Sequence, residues 1–231
     1  MQNHYAPRTI AFQSELFHPL VDADPQRLQR LHNEQFQGGS PLYTDFALLQ
    51  NGALLSNPAA RPGAVSSVSF THDRMVLREE LSHLTVDEFA QRVRTMAEAA
   101  SAALGVQVFT AHQVTVRTLV NTRNFRDSRD YLKAGMFGFH GEEGEFAREP
   151  QLYGLRLVFP PSDREPNAHA LRVESFHGDP RSLFLEDQAT FSPLLVARGL
   201  ESLEQHVHET YNFLVERALA FVGRFDVRAE A

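Results

Sequence analysis

The chain has no cysteine and no tryptophan among its 231 residues. The missing cysteine excludes disulfide bonds, thiol catalysis and thiolate metal sites, and it is typical of a protein in a reducing compartment. No segment approaches the ~18–20 apolar residues of a membrane helix, and the first dozen residues lack the apolar core of a signal peptide. We therefore expect a cytoplasmic protein that has no membrane partner.

The sequence also lacks the common catalytic and cofactor motifs. It contains no phosphate-binding G-x-x-x-x-G-K-[ST], no dinucleotide-binding G-x-G-x-x-G, no zinc-binding H-E-x-x-H and no G-x-S-x-G nucleophile elbow. The formal net charge of −7 argues against charge-driven binding to nucleic acid over a broad surface. These absences favour a protein without a cofactor and lean against an enzyme without excluding one.

Periodic apolar residues predict alternating helices and strands. Thr85 and Glu88 have the spacing of a capping box, and Gly105 stands where a left-handed C-cap would end the same helix. The 3.6-residue period predicts four helices, at 24–36, 85–104, 127–137 and 199–224. The two-residue period predicts eight strands, at 8–17, 43–50, 64–71, 74–81, 107–121, 151–159, 168–176 and 181–187.

The order of these elements repeats once along the chain. Each half, at about 5–105 and about 106–225, reads strand, helix, three strands and helix. We therefore predict an α+β fold in which two divergent copies share one curved antiparallel sheet, with the long helices on one face. Such a fold makes 1–231 a single pseudo-symmetric domain, and its element order resembles the duplicated TATA-box-binding-protein fold. A helix-grip fold, a curved sheet around one long C-terminal helix, is the alternative.

Several short segments follow one another in a recognisable order. Arg117 and Asn121 lie in VTVRTLVN, the acidic strand SLFLEDQATF follows at 182–191, and HETYNFLVERALAFV forms the last helix. This order resembles a sporadically distributed family of uncharacterised bacterial proteins of similar length. The family has no established activity, so the resemblance bears on the fold more than on the chemistry.

Alternation along the strands places four arginines on the sheet face that the helices leave open, and these are Arg78, Arg117, Arg156 and Arg172. Asn121 ends one of the strands on the same side. Forked guanidinium donors suit a phosphate, a carboxylate or an acidic partner. The competing interpretation is cross-strand ion pairing with Glu80, Glu174 and Glu186 on a solvated face.

Two loops carry further candidate side chains. The loop 121–130 combines Arg123, Arg126 and Arg129 with Phe125, a mixture that could contact single-stranded nucleic acid, although pairing with nearby aspartates at a helix start is commoner. A second loop contains His140 with Glu142, Glu143 and Glu145, for which a solvated acidic loop is favoured over a metal site. His206 and His208 lie two apart on a helix and cannot jointly hold one metal ion. The sequence therefore predicts no metal site.

These observations lead to one main functional hypothesis and two alternatives. The first is a non-enzymatic binding module that contacts a protein partner, or a second copy of itself, through the arginine-bearing sheet face. An accessory or regulatory role in a bacterial defence or stress system is compatible with it. The alternatives are a sensor of an anionic small ligand or nucleotide, and a nucleic-acid-associated factor.

Overall fold

The computed structural model describes residues 5–39, 41–139 and 147–227. The helices within this part are α1 (Pro25–Gln37), α2 (Val86–Leu104), the short α3 (Ser128–Asp130), α4 (Ser202–Asn212) and α5 (Leu219–Gly223). A π-helical segment, Tyr131–Met136, continues α3, a 3-10 turn spans Val196–Arg198, and a second π-helical segment, Phe213–Ala218, joins α4 to α5.

Nine strands of the described chain form one antiparallel sheet. They are β1 (Arg8–Phe17), β2 (Asp45–Leu49), β3 (Gly52–Ser56), β4 (Val65–Thr71), β5 (Arg74–Glu80), β7 (Ala111–Asn121), β8 (Gly154–Phe159), β9 (Ala168–Ser175) and β10 (Ser182–Phe191). Their order across the sheet is β2-β3-β4-β5-β1-β7-β10-β9-β8. Two short strands, β6 (Val108–Phe109) and β11 (Leu194–Leu195), pair separately.

The predicted α+β class with a large antiparallel sheet is confirmed. The central strands β1 and β7 pair with each other, and each also pairs with the last strand of its own half, β5 or β10. The first half of the chain contributes five strands to this sheet and the second half contributes four. The duplication itself, and with it the TATA-box-binding-protein-like relationship, stays a prediction.

The helices cover one face of the sheet. Helix α2 packs against β1 and β5, α4 packs against β7 and β10, and α1 packs against α2. Alternate side chains of the central strands are buried beneath them, among them Phe12, Val116 and Leu185. Phe12 stacks on Phe89 of α2 with ring centroids 5.1 Å apart, which ties the first strand to the helix layer.

Local sequence signals set the helix ends as predicted. Thr85 accepts a hydrogen bond from the Glu88 amide, and the Glu88 carboxylate accepts one from the Thr85 amide, so the capping box is complete. Gly105 closes α2 in the left-handed region, with φ of 73°. Asp24 accepts from the Gln26 amide at the start of α1.

Four predicted elements differ from the structure, and one strand of the structure was not predicted. The strand β3 was not predicted, the predicted strand at 107–121 is broken at Thr110 into β6 and β7, and the predicted last strand extends four residues further, to Phe191. The predicted helix at 127–137 has only one α-helical turn before it becomes π-helical. The predicted helix at 199–224 is interrupted by the second π-helical segment.

Candidate functional site

The open face of the sheet carries a continuous chain of ion pairs. Arg117 of β7 donates from Nε to Glu186 of β10 at 2.5 Å, and its Nη1 lies 3.6 Å from Glu80 of β5. Arg78 pairs with the same Glu80 at 2.6 Å. These contacts follow from the strand register, since Arg117 is directly opposite Glu186.

The chain continues toward the end of the sheet. Arg172 of β9 lies 3.2 Å from Glu174 and 3.5 Å from Glu186, and its guanidinium also stacks over Phe184 at 4.9 Å from the ring centroid. Three of the four predicted arginines are therefore neutralised by glutamates. For Arg117 and Arg172 the pairing crosses strands, as the competing interpretation expects, whereas Arg78 pairs with Glu80 of its own strand. Each exposed pair contributes little to stability.

Arg156 differs from the other three arginines. It is exposed on β8, where it stands directly opposite Arg172, a like charge. Within the part of the chain that the structure describes, it forms no hydrogen bond and no ion pair. The two nearby acids, Glu174 and Glu186, are already paired with Arg172, so Arg156 is available to an acceptor from outside this chain.

Asn121 lies at the other end of β7, away from the arginine chain. Its Oδ1 accepts from the Ser182 hydroxyl at 2.9 Å and from Arg8 at 3.4 Å. Asp179 Oδ2 lies 2.6 Å from the same Ser182 hydroxyl and competes with Asn121 for its single proton. The structure thus places Asn121 in a polar cluster that holds the β9–β10 turn against β1, and not beside the sheet arginines.

The loop at 121–130 is held by the C-terminal segment. The Asp226 carboxylate accepts from the backbone amides of Arg123 and Asn124, each at 2.9 Å, and from the Tyr5 hydroxyl at 2.6 Å. The Arg123 guanidinium stacks over the Tyr5 ring at 5.5 Å from its centroid. These contacts with Asp226 and Tyr5 hold the backbone of the loop in one conformation.

The other candidate side chains of this loop are mostly engaged as well. Phe125 packs edge-on against the buried Tyr131 at 5.5 Å between centroids, so its ring is not a free stacking platform. Arg129 donates to the Pro150 carbonyl at 2.8 Å and lies 3.6 Å from Glu149. Arg126 alone is exposed without a partner among the described residues.

The β8 edge is the outer border of the strand Gly154–Phe159. It combines an unpaired backbone with exposed apolar side chains and an arginine that has no partner in the described chain. In the described chain no strand pairs with this border. Val158 is 64% exposed and Phe159 is 41% exposed, both unusual values for large apolar side chains. Arg156 lies between Leu155 and Leu157 on the same strand.

A groove of about 550 Å³ runs between this strand and the C-terminal helix. Its apolar walls include Leu157, Phe159, Phe213 and Phe221, and its rim carries two acids and two arginines, Glu165, Glu216, Arg217 and Arg224. Phe213 belongs to the π-helical segment and meets Phe159 edge-on at 5.6 Å. Single π-helical turns are frequent at functional sites.

The floor of the sheet near this groove contains a buried acid–histidine pair. His169 Nδ1 is 2.8 Å from Asp187 Oδ2, and the His169 ring stacks on Phe213 at 4.0 Å. Burial raises the pKa of the Asp187 carboxyl, and the hydrogen bond to His169 opposes that shift. The pair fixes the position of Phe213 and hence the wall of the groove.

A second buried polar cluster lies beneath α4. Ser14 Oγ is 2.8 Å from His112 Nε2, and His112 Nδ1 is 3.0 Å from His206 Nδ1. Burial lowers the pKa of both histidines, so both are neutral at pH 7 and one of the facing Nδ1 atoms donates to the other. A serine beside a histidine suggests nucleophilic catalysis, but Ser14 and His112 are fully buried and offer no substrate access.

A third cluster, around Glu79, lies under α2. The Glu79 carboxylate is buried, and its Oε1 accepts from Arg92 at 2.5 Å, Ser66 at 3.0 Å and Tyr43 at 3.4 Å. Burial and the neighbouring Glu79 raise the pKa of the Tyr43 hydroxyl. The sequence interpretation did not single out any of these three clusters. The sequence did carry one sign of these buried clusters, which is a polar residue at a strand position that faces the helices. The residues with this property are Ser14, His112, His169, Asp187 and Glu79.

No group of histidines, aspartates and glutamates in the described chain is arranged to hold a metal ion. The loop with His140, Glu142, Glu143 and Glu145 lies outside the described residues. Among the helices that are described, none has both the length and the apolar character needed to cross a lipid bilayer. The chain matches no protein-family model and no curated protein.

Proposed function

We propose that the protein is a non-enzymatic interaction module that engages a protein partner at the β8 end of its open sheet face. The observation that carries this proposal is the combination, on one strand, of an unpaired border, the exposed Val158 and Phe159, and the unpartnered Arg156.

The backbone of β8 offers hydrogen bonds to an added strand. The Ser175 amide of β9 donates to the Tyr153 carbonyl at 2.9 Å, so the polar groups of Tyr153 point toward β9. Because these directions alternate along an antiparallel strand, the amides and carbonyls of Gly154, Arg156 and Val158 point outward. An extended segment that pairs with them would extend the sheet by β-augmentation.

The two faces of β8 give such a segment different environments. On the helix side, alternate side chains of the added strand would enter the apolar groove lined by Phe159, Phe213 and Phe221. On the open side, an acidic or hydrogen-bond-accepting side chain would meet Arg156. Backbone pairing would supply affinity, and these two environments would supply specificity.

The alternative functions receive less support from the same contacts. A sensor of anionic ligands needs free guanidinium groups, whereas Arg78, Arg117 and Arg172 are paired with glutamates. Single-stranded nucleic acid needs an accessible aromatic platform, whereas Phe125 is packed against Tyr131. A cytoplasmic location, and an accessory or regulatory role in a bacterial system, remain predictions.

The test is affinity purification from cells that naturally express the protein, with mass spectrometry of bound proteins and small molecules. The variant Val158→Lys places a charge on the β8 edge, and Leu48→Lys on β2 is its matched control, because the two side chains are 64% and 66% exposed. We expect one stoichiometric protein, either another protein or an untagged copy of this chain, with the wild type and with Leu48→Lys, and its loss with Val158→Lys.

Equal recovery by all three proteins would place the contact elsewhere and contradict the proposal. Recovery of a nucleotide or another anion in place of a protein would favour the sensor hypothesis. A bound nucleic acid whose affinity falls steeply with salt would favour the nucleic-acid hypothesis.

A further inference from the structure

We infer that the partner at the β8 edge is a second copy of this chain, paired antiparallel through β8 about a two-fold axis at Leu157. This inference rests on the proposed function, since it names the occupant of the same border. It makes the two nine-stranded sheets one continuous sheet across the dimer.

A β8 border can pair with a second β8 border about a two-fold axis. Two copies of β8 that pair antiparallel contact each other through the same surface, so the interface is isologous. The backbone hydrogen-bonding groups of both β8 borders are then paired, and the assembly closes at two copies. Pairing β8 with the other free border, β2, would be head-to-tail, and it would form a ring where the rotation closes and an open filament where it does not. A closed pair through β8 alone leaves no further β8 border exposed.

The register of the two β8 strands is restricted by the faces on which their side chains lie. Residues directly opposite one another must lie on the same face, so the axis must pass through a residue and not between two. An axis at Arg156 would set Arg156 against its own copy, which adds a like-charge contact to the one that Arg156 already makes with Arg172.

An axis at Leu157 avoids that conflict. It places Leu157 against the second Leu157, Leu155 against Phe159, and Arg156 against Val158. The pairs on the groove side are then wholly apolar. The outward amides and carbonyls of Arg156 and Val158 exchange hydrogen bonds, and the aliphatic stem of Arg156 covers the exposed Val158.

The groove rim is compatible with self-association. It carries Glu165, Glu216, Arg217 and Arg224, two charges of each sign, so two copies of the rim approach without a net local charge. The overall charge of −7 on each chain produces a long-range repulsion that salt screens. We therefore expect the dimer to become tighter, and not weaker, as ionic strength rises.

The register predicts opposite effects of opposite charges at one position. Val158→Lys would face Arg156 of the second copy and is expected to raise the dimer dissociation constant at least about tenfold, whereas Val158→Glu would pair with Arg156 and lower it. Sedimentation equilibrium over a range of concentrations measures both effects. Leu48→Lys and Leu48→Glu on β2 are the matched controls and should leave the constant unchanged.

The absence of cysteine permits a direct test of the register. Leu157→Cys places two thiols at a non-hydrogen-bonded pair with Cα atoms about 4.5 Å apart, within the range of a disulfide. Mild oxidation should convert this variant to a covalent dimer that a reductant reverses, while Arg156→Cys should cross-link poorly. Circular dichroism before oxidation checks that each variant is folded.

A wild-type protein that stays monomeric at all concentrations would overturn the inference while leaving another protein as the partner of the β8 edge. A dimer that is insensitive to the sign of the charge at 158, or that cross-links through Arg156→Cys, would overturn the register. Growth into filaments that Leu48→Lys abolishes would show head-to-tail pairing in place of the closed dimer.

Discussion

His112 and His206 show how single residues in this core depend on pH. Burial lowers the pKa of His206 to about 4 and holds the pKa of His112 well below its usual value, with the charge of His206 as a further cause. In the unfolded chain both imidazoles regain a pKa near 6.5. Protons therefore bind the unfolded state more strongly between these values.

This difference predicts a loss of stability in mild acid. The neutral His112–His206 pair makes its full contribution to the free energy of unfolding above about pH 6.5. That contribution is lost as the pH falls toward 4. Because His206 is partly exposed, we expect His206 alone to contribute only about 1–2 kcal/mol of the loss at pH 5. Urea unfolding at pH 7.5 and pH 5 measures the loss.

The variant His206→Phe removes that titration and keeps an aromatic ring against Phe191, on which His206 stacks at 3.9 Å. It should lose less stability between the two pH values than the wild type. His208→Phe, two residues away and with a side chain that is 37% exposed, should retain the full loss. An equal loss in all three proteins would show that the buried pair does not carry the effect.

Individual side chains could be assigned to a sheet face from the sequence, and the three glutamates that pair with the arginines could be named, but which arginine meets which glutamate could not be predicted. Alternation correctly placed Arg117 and Arg172 opposite the buried positions of their strands. Which of them would be paired depends on strand register, and register is a property of neighbouring strands that one strand does not encode. Glu186 shows this, because it contacts arginines on both sides.

At the scale of elements, β3 was missed although its signal is present. The segment around Asn51 and Gly52 has the composition of a hairpin turn, and the structure forms the β2–β3 hairpin there, with Leu49 paired to Gly52. The π-helical segments had no such signal, since their apolar spacing is close to that of an α-helix. Side chains of the second segment, Phe213–Ala218, nevertheless line the groove beside β8.

The β2–β3 hairpin requires a glycine at position 52 because the backbone of Phe70 lies very close to it. A Cβ atom at this position would lie only 1.8 Å from the Phe70 carbonyl oxygen, and the φ angle of 154° is unfavourable for other residues. We expect Gly52→Ala to reduce the free energy of unfolding by about 2–4 kcal/mol, measured by chemical denaturation.

Gly63→Ala is the matched control for that substitution. Gly63 also has a positive φ, 80°, but its Cβ would meet only a leucine methyl group at 3.7 Å. Its expected cost is the backbone strain of about 1–2 kcal/mol alone. Similar losses for the two variants would mean that the close approach to Phe70 does not limit this hairpin.

At the scale of the whole molecule, the helix–strand order was enough to predict one antiparallel sheet with helices on one face. It was not enough to show where the sheet ends or which border stays unpaired, because these depend on how the two halves meet. They meet through β1 and β7, which leaves β8 at one border and β2 at the other. The candidate site therefore came from the structure, and Arg156 is the one residue of it that the sequence had indicated.

A partner that pairs with β8 requires the outward-facing backbone of this strand, and amide hydrogen exchange measured residue by residue tests for that contact most directly. In the isolated monomer the amides of Arg156 and Val158 should exchange fast, while those of Leu155 and Leu157, which face β9, should be protected. In the complex, whether with a second copy or another protein, Arg156 and Val158 should become as protected as their neighbours. Unchanged exchange at these two amides, with new protection at β2 or at the centre of the open face, would show that the partner does not bind at β8.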